Sequence, residues 1–320
     1  MILWVTVLIG YFTLKWFLGR LKVNNYGVKY VLITGCDTGF GNLLAKRLDG
    51  LGFHVIAACL KQDAATELKK TSSEHLQTLQ LDVSSEDDIK SALTKVKSIL
   101  PSNRGLWAVV NNAGIGGTIG PIECLNRKDY MDTLAVNLLG LIDVTKMFLP
   151  LIRKERGRVV NIASIIGRIA LVPTPYCVSK YGVEAFSDSL RREVYHQGIK
   201  VSILEPGYFN TEILNAQKLD EKFQDAFNQG DSEFRQYYGQ EFIDQSKMMI
   251  KQLREKSSSN LFEVIDAYEH AITARYPKSR KIWPAIQTLQ KNMASYSSSV
   301  VERIQPNKIL GKVGAKYYIK

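Results

Sequence analysis

Three local patterns follow one another within twenty residues, and together they constrain the fold more than any other stretch. Lys29-Tyr-Val-Leu-Ile-Thr34 reads as a short apolar strand, and Gly35-Cys-Asp-Thr-Gly39-Phe-Gly41 follows it without a break. Asn42-Leu-Leu-Ala-Lys-Arg-Leu48 then reads as a helix. Glycines at such a junction permit a tight turn and a close backbone approach, while the free N–H groups that open a helix favour an anion. Strand, glycine turn and helix in this order form the phosphate cradle of a dinucleotide fold. The spacing is Gly-x-x-x-Gly-x-Gly rather than Gly-x-Gly-x-x-Gly, so on this piece alone a plain glycine-rich turn is the competing reading.

The rest of the chain continues the alternation. His54–Cys59, Leu76–Leu81, Leu106–Val110, Arg158–Ser164 and Ile199–Glu205 are apolar strand candidates separated by helical stretches. This pattern predicts an α/β chain, a Rossmann-type doubly wound parallel sheet with its site along one sheet edge. At the end of the second strand an acidic residue would favour NAD and an arginine just beyond would favour NADP. Cys59, Leu60 and Lys61 stand there, and they do not choose. Asp82, after the third strand, is either an acceptor for the adenine amino group or the cap of the next helix. Asn111-Asn112-Ala113-Gly114 ends the fourth strand in small residues that let the backbone pass close to a cofactor. Asn137 lies among apolar residues of a long helix over about 127–152 and needs partners if buried. It either fixes local backbone or holds a water near the site.

The chemistry concentrates in Ser164 to Lys180. Thr174 and Pro175 form a helix start, a capping hydroxyl followed by proline at the first helical position. Tyr176 and Lys180 sit four residues apart, on one helix face. A phenol titrates near 10, and an adjacent ammonium is expected to lower that value toward a usable base. Ser164, at the end of its strand, offers a hydroxyl to the same substrate oxygen. The four cysteines and four histidines are scattered, without disulfide or metal-ligand spacing, so no metal is expected.

Charge separates the ends from the middle. The net charge is +11 over 320 residues, but residues 1–30 carry +4, residues 276–320 carry +8, and the 245 residues between sum to −1 by difference. A nucleic-acid enzyme would carry its basic residues around its working surface, so no nucleic-acid partner is expected. Basic ends suit an anionic membrane surface. Residues 1–22 contain roughly 18 apolar-leaning positions, enough for a span if Lys15 snorkels. No positive segment precedes them and no small-x-small site follows, so a retained membrane anchor is expected over a cleaved signal. The basic residues just after it place the catalytic domain on the cytoplasmic side. Between about 212 and 260 the alternation stops, and Phe223, Phe227, Phe234, Tyr238, Phe242, Met248 and Met249 appear among charges. This stretch is either extra packing or a helical lid over a lipophilic pocket, and its place after the last site strand favours the lid. Residues 260–276 read as a further helix, Lys281–Pro284 as a last strand, and 286–320 as a basic tail.

Taken together, Thr34-Gly-x-x-x-Gly39-x-Gly41, Asp82, Asn111-Asn-Ala-Gly114, Asn137, Ser164, Tyr176-x-x-x-Lys180 and Pro206-Gly207 resemble the short-chain dehydrogenase/reductase family over residues 29–285. Ile33–Asn42, Gly52–Leu60 and Ser189-Leu-Arg-Arg192 resemble its membrane-bound retinol and hydroxysteroid dehydrogenase branch. The resemblance implies an oxidoreductase with Tyr176 as acid/base, Ser164 orienting the substrate oxygen, Lys180 on the nicotinamide ribose and Asn137 holding a relay water. It implies cofactor contacts at Gly35, Asp37, Gly39, Phe40, Gly41, Cys59, Asp82, Asn112, Ala113, Gly114, Tyr176, Lys180, Pro206, Gly207 and Thr211. NAD is the implied cofactor, with NADP open through Lys61. A retinoid or a 3- or 17-hydroxysteroid is the implied lipophilic substrate, the endoplasmic reticulum membrane the implied location, and a homodimer through the helices near Asn137 and Tyr176 the implied assembly.

Overall fold

The computed structural model describes residues 2–170 and 174–282. Its first helix, α1, spans Ile2–Arg20, after which the chain enters β1 (Tyr30–Thr34) and α2 (Gly39–Gly50). There follow β2 (His54–Cys59), α3 (Gln62–Lys70), β3 (Leu76–Gln80), α4 (Glu86–Ile99) and β4 (Ala108–Asn111). The strand bounds expected for residues 29–111 agree with these to within two residues, while α2 begins three residues before the expected Asn42. The long central helix is α5 (Arg127–Leu134) and α6 (Leu141–Lys154), joined through one wider turn at Ala135–Gly140. Next come β5 (Arg158–Ile162), α7 (Pro175–Glu193) and β6 (Lys200–Glu205). Then α8 (Ala216–Gln229), α9 (Ser232–Glu255), α10 (Phe262–Thr273) and β7 (Arg280–Ile282) close the described chain. Pro284 and the expected basic tail at 286–320 lie outside the described residues.

All seven strands are parallel, in the order β3-β2-β1-β4-β5-β6-β7. The order reverses between β1 and β4, and in open parallel sheets the crevice beyond such a switch point receives the ligand. Strand residues alternate between two cores. Val31, Ile33, Val55 and Ala57 pack with Leu44 and Leu48 of α2 and with Ile265, Tyr268 and Ile272 of α10. Leu32, Ile56, Val109 and Val159 pack on the other face with Ile89 of α4 and Phe148 of α6. Both faces are covered, which is why the strands read as continuous apolar runs.

Helix α10 is tied to the sheet by Arg158, the first residue of β5. Its buried guanidinium donates to the Ala271, Ile272 and Ala274 carbonyls at 2.8–3.0 Å, and it lies 4.2 Å over the Trp107 ring. These are the orphan carbonyls that end a helix, and a buried cation suits them. Helices α8 and α9 build a separate aromatic cluster of Phe223, Phe227, Phe234, Tyr238 and Phe242. Helix α9 kinks at Gly239, whose φ of 68° favours glycine. The helix Arg127–Lys154 is long and apolar enough to cross a membrane, but α6 packs into the sheet core, so its hydropathy reports burial.

Candidate active site

The glycine turn closes tightly against the end of β4. A side-chain carbon at Gly41 would fall 2.2 Å from the Gly35 carbonyl oxygen and 2.5 Å from Asn112 Nδ2. Gly35 itself has φ of +71° and lies against Ala113, where an added carbon would meet the Ala113 Cα at 2.7 Å. Asn112 locks this contact by donating to the Thr34 and Gly35 carbonyls at 3.0 and 2.9 Å. Thr34 Oγ1 in turn accepts from the Asn112 and Ala113 N–H groups, both at 3.1 Å. The result is a cradle whose glycines put no side chain of their own over the N-terminus of α2. A pyrophosphate fits such a surface. Gly39 faces Thr211, whose methyl lies 3.8 Å from the position of an added carbon, and the Phe40 ring meets Phe209 edge-on. The residues present therefore fit a dinucleotide.

The end of β2 differs from the sequence expectation. Cys59 has no exposed surface, and burial with the nearby Asp37 charge pushes its thiol up to about 12. Its side chain belongs to the core, not to a ligand surface. The carboxylate at this strand end comes from the glycine turn instead: Asp37 accepts from the Leu60 and Lys61 N–H groups, both at 2.9 Å. Asp82 does not cap α4, because Ser85 accepts from Asp88 N and takes that role. Asp82 Oδ1 accepts from the Ser84 N–H and hydroxyl, which shapes the turn after β3.

The wider turn between α5 and α6 aims Asn137 inward. Its Oδ1 accepts from Ile115 N at 2.8 Å, and its amide donates to Ile115 O and to Ser179 Oγ. Asn137 therefore fixes the backbone that follows Asn111–Gly114. It also borders the site, since an added carbon at Gly114 would lie 3.3 Å from Asn137 Oδ1 and 3.8 Å from Lys180 Nζ. A turn with i→i+5 bonds inside a helix is a frequent mark of a functional position.

Helix α7 starts as expected, with Thr174 accepting from Cys177 N and Pro175 in the first turn. It places Lys180 Nζ 5.5 Å from the Tyr176 ring centre and 3.0 Å from the Ile162 carbonyl, to which it donates. Ser164 Oγ donates to Pro206 O at 3.4 Å and is hydrogen-bonded to the Tyr176 phenol. Pro206 O also accepts from Ile165 N, so the Pro206-Gly207 turn is stitched to the Ser164 loop. The expected lowering of the Tyr176 pKa is outweighed by burial. Burial pushes the phenol up to about 12, with the Ser164 hydrogen bond opposing, and burial pulls Lys180 down to about 8, with Glu184 opposing. Desolvation disfavours the charged form of both groups and is the largest cause for each.

Sequence reasoning missed Tyr268, on α10, whose buried hydroxyl donates to Asn112 Oδ1 at 3.0 Å across 156 positions of sequence. It missed Glu184, Glu205 and Arg280, which meet beneath Lys180. Tyr268 has no local signal, whereas Glu184 extends the four-residue spacing of Tyr176 and Lys180.

Comparison with known proteins agrees with this geometry. Residues 29–222 match the model of the short chain dehydrogenase family. The chain is 46% identical over 279 residues to retinol dehydrogenase 16 of Rattus norvegicus, covering 87% of this chain and 88% of the relative. It is 45% identical, with the same coverage, to human (Homo sapiens) 17-beta-hydroxysteroid dehydrogenase type 6. Among solved structures, a short-chain dehydrogenase from Streptomyces avermitilis superposes with a TM-score of 0.66 at 23% identity, covering 86% of this chain and 96% of that one, which speaks to the fold alone. The matched family, the parallel sheet and the glycine cradle beside Ser164, Tyr176 and Lys180 together show that the chain is an oxidoreductase of the short-chain dehydrogenase family, on the branch of the retinol and hydroxysteroid dehydrogenases.

Proposed function

We propose that the chain oxidises or forms a retinol-type alcohol, with NAD as the preferred cofactor. The observation that carries this reading is the convergence of Ser164, Tyr176 and Lys180 at the edge of the sheet, next to the glycine cradle. Ser164 and Tyr176 present two hydroxyls to one substrate oxygen. Tyr176 takes the carbinol proton in oxidation and returns it in reduction, while Lys180 supplies the positive charge that favours the phenolate. Bound nicotinamide dinucleotide supplies the hydride acceptor or donor. Asn137, holding Ile115 beside Gly114 and Lys180, keeps the floor of the site in place and stands where a relay water would sit.

The aromatic cluster of α8 and α9 supports a lid at about 212–260 over an apolar substrate. A bulky 3- or 17-hydroxysteroid fits the same description, and the 17-beta-hydroxysteroid dehydrogenase relative favours that second reading. Turnover by the full chain in detergent, with all-trans-retinol and with 3- and 17-hydroxysteroids, separates them. Preference for retinol is the expected outcome, and preference for a steroid would overturn the substrate assignment.

The Asp37 carboxylate supports NAD. It stands at the end of β2, where a strand-end acid would hold an unphosphorylated ribose and repel a 2′-phosphate. Asp37→Asn keeps an acceptor for one of the two backbone N–H groups and removes the charge. The NAD-to-NADP ratio of kcat/KM should fall about tenfold or more, equal to about 1.4 kcal/mol. An unchanged ratio would assign the choice to Lys61.

Helix α1, of 19 residues, would span about 28 Å, close to the hydrocarbon thickness of a bilayer. Trp4, Leu8, Leu14, Trp16 and Phe17 are exposed on it, which supports a membrane anchor, and the endoplasmic reticulum is the inferred membrane. Exposed Met131, Leu139, Val178 and Tyr181 on the α5–α6 segment and α7 support pairing of two copies there.

A further inference from the structure

A cluster of buried acids lies one helical turn below Lys180, and nothing in the reaction as described uses it. On α7, Tyr176, Lys180, Glu184 and Asp188 recur every four residues and share a face. Glu184 is 5% exposed and Glu205, the last residue of β6, is fully buried. Both carboxylates meet Arg280 Nη1 from β7, while Arg280 Nη2 donates to both oxygens of Asp188 at 2.8–2.9 Å. Arg168, after the Ser164 turn, reaches Glu205 at 3.3 Å, and Arg191 pairs with Asp188. Helix α7 also packs against α5, β5 and the Ala135–Gly140 turn, and Glu184 is the one charged side chain among the described residues that acts appreciably on Lys180.

The cluster joins the parts of the site that must keep register. Glu184 belongs to the helix of Tyr176 and Lys180. Glu205 immediately precedes Pro206, whose carbonyl holds Ser164. One oxygen on each carboxylate, Glu184 Oε1 and Glu205 Oε2, is buried without a hydrogen-bond partner among the described residues. Two buried carboxylates on one guanidinium nitrogen, each with a free oxygen, are a pair suited to holding a proton.

We propose that Glu184 is a positioning residue for catalysis, which holds the charge of Lys180 from one turn below and so controls the pH range in which Tyr176 has an ammonium beside it. This rests on the roles given above to Tyr176 and Lys180. The sign follows from the two groups. Burial and the Glu205 neighbour raise the Glu184 carboxyl, against the pull of Arg280. While Glu184 is protonated it adds nothing to Lys180; once ionised, it strengthens the hold of Lys180 on a proton that burial has loosened. The acid therefore extends the ammonium form upward in pH.

The test is the pH profile of kcat/KM for alcohol oxidation at saturating cofactor. E184Q and E184M remove the charge in two ways: the amide of the first can donate to Glu205 Oε2, and the second needs no partner. In whichever folds, the alkaline break that reports Lys180 should move down by about one pH unit. E184D keeps the charge and should hold the break within about 0.3 unit of the wild type, even if kcat drops. A purely structural role would lower kcat or the melting midpoint at every pH without moving the break. An unmoved break in a folded neutral variant with wild-type cofactor affinity would overturn the proposal. Y176F, run alongside, must lose turnover; if it does not, the site reading itself falls and takes the proposal with it.

Discussion

Tyr176→Phe should lower kcat for alcohol oxidation by about 10³-fold, within the range that positioned acid–base groups contribute. The substitution removes one oxygen from a ring that stays packed at the start of α7, so folding and cofactor affinity should change little. The wild-type pH profile carries the matching signature. With the phenol near 12, the reactive phenolate is a small fraction at neutral pH and grows tenfold per unit. Oxidation should therefore accelerate from pH 6 toward 8 and then level as Lys180, near 8, gives up its proton. Carbonyl reduction uses the protonated phenol and should lack that rise. Stopped-flow hydride transfer with the wild type and Y176F measures chemistry apart from product release. A loss below tenfold in Y176F would mean that another group moves the proton.

Arg158→Met should destabilise the fold by roughly 3 kcal/mol, because it strands buried carbonyls at the end of α10 that cost about 1–3 kcal/mol each without a donor. Ile272 O keeps a bond from Trp107 Nε1, so the Ala271 and Ala274 carbonyls carry most of the loss. The melting midpoint in detergent should fall by about 6 °C or more. The damage should also reach the cofactor, since α10 carries Tyr268, which orients Asn112 against the glycine turn. Weakened cofactor binding together with the lower midpoint is the expected pair of results. A midpoint within about 2 °C of wild type would show that water satisfies those carbonyls and that the guanidinium is dispensable.

The glycine turn and the stretch from Ser164 to Lys180 were legible for one reason. Their chemistry is carried by neighbours in sequence: Gly35, Gly39 and Gly41 in one turn, Tyr176 and Lys180 one helical turn apart, Thr174 and Pro175 at a helix start. Strand positions were legible because burial on both faces leaves unbroken apolar runs. The same logic left the end of β2 and the place of Asp82 open. Reading along β2, the strand-end carboxylate is absent, yet Asp37 supplies it from a different turn 22 residues earlier. Asp82 sits where a cap could stand, but backbone geometry gives the cap to Ser85.

The sequence by itself determined the parallel α/β architecture, the glycine turn and the tyrosine–lysine pair, because periodicity and spacing are local properties. Only the tertiary structure decided that Tyr268 braces Asn112, that Arg158 closes α10, and that Glu184, Glu205 and Arg280 converge under Lys180. It also set the burial that raises the Tyr176 pKa and lowers that of Lys180. Desolvation depends on everything packed around a group, and no spacing between two residues encodes it.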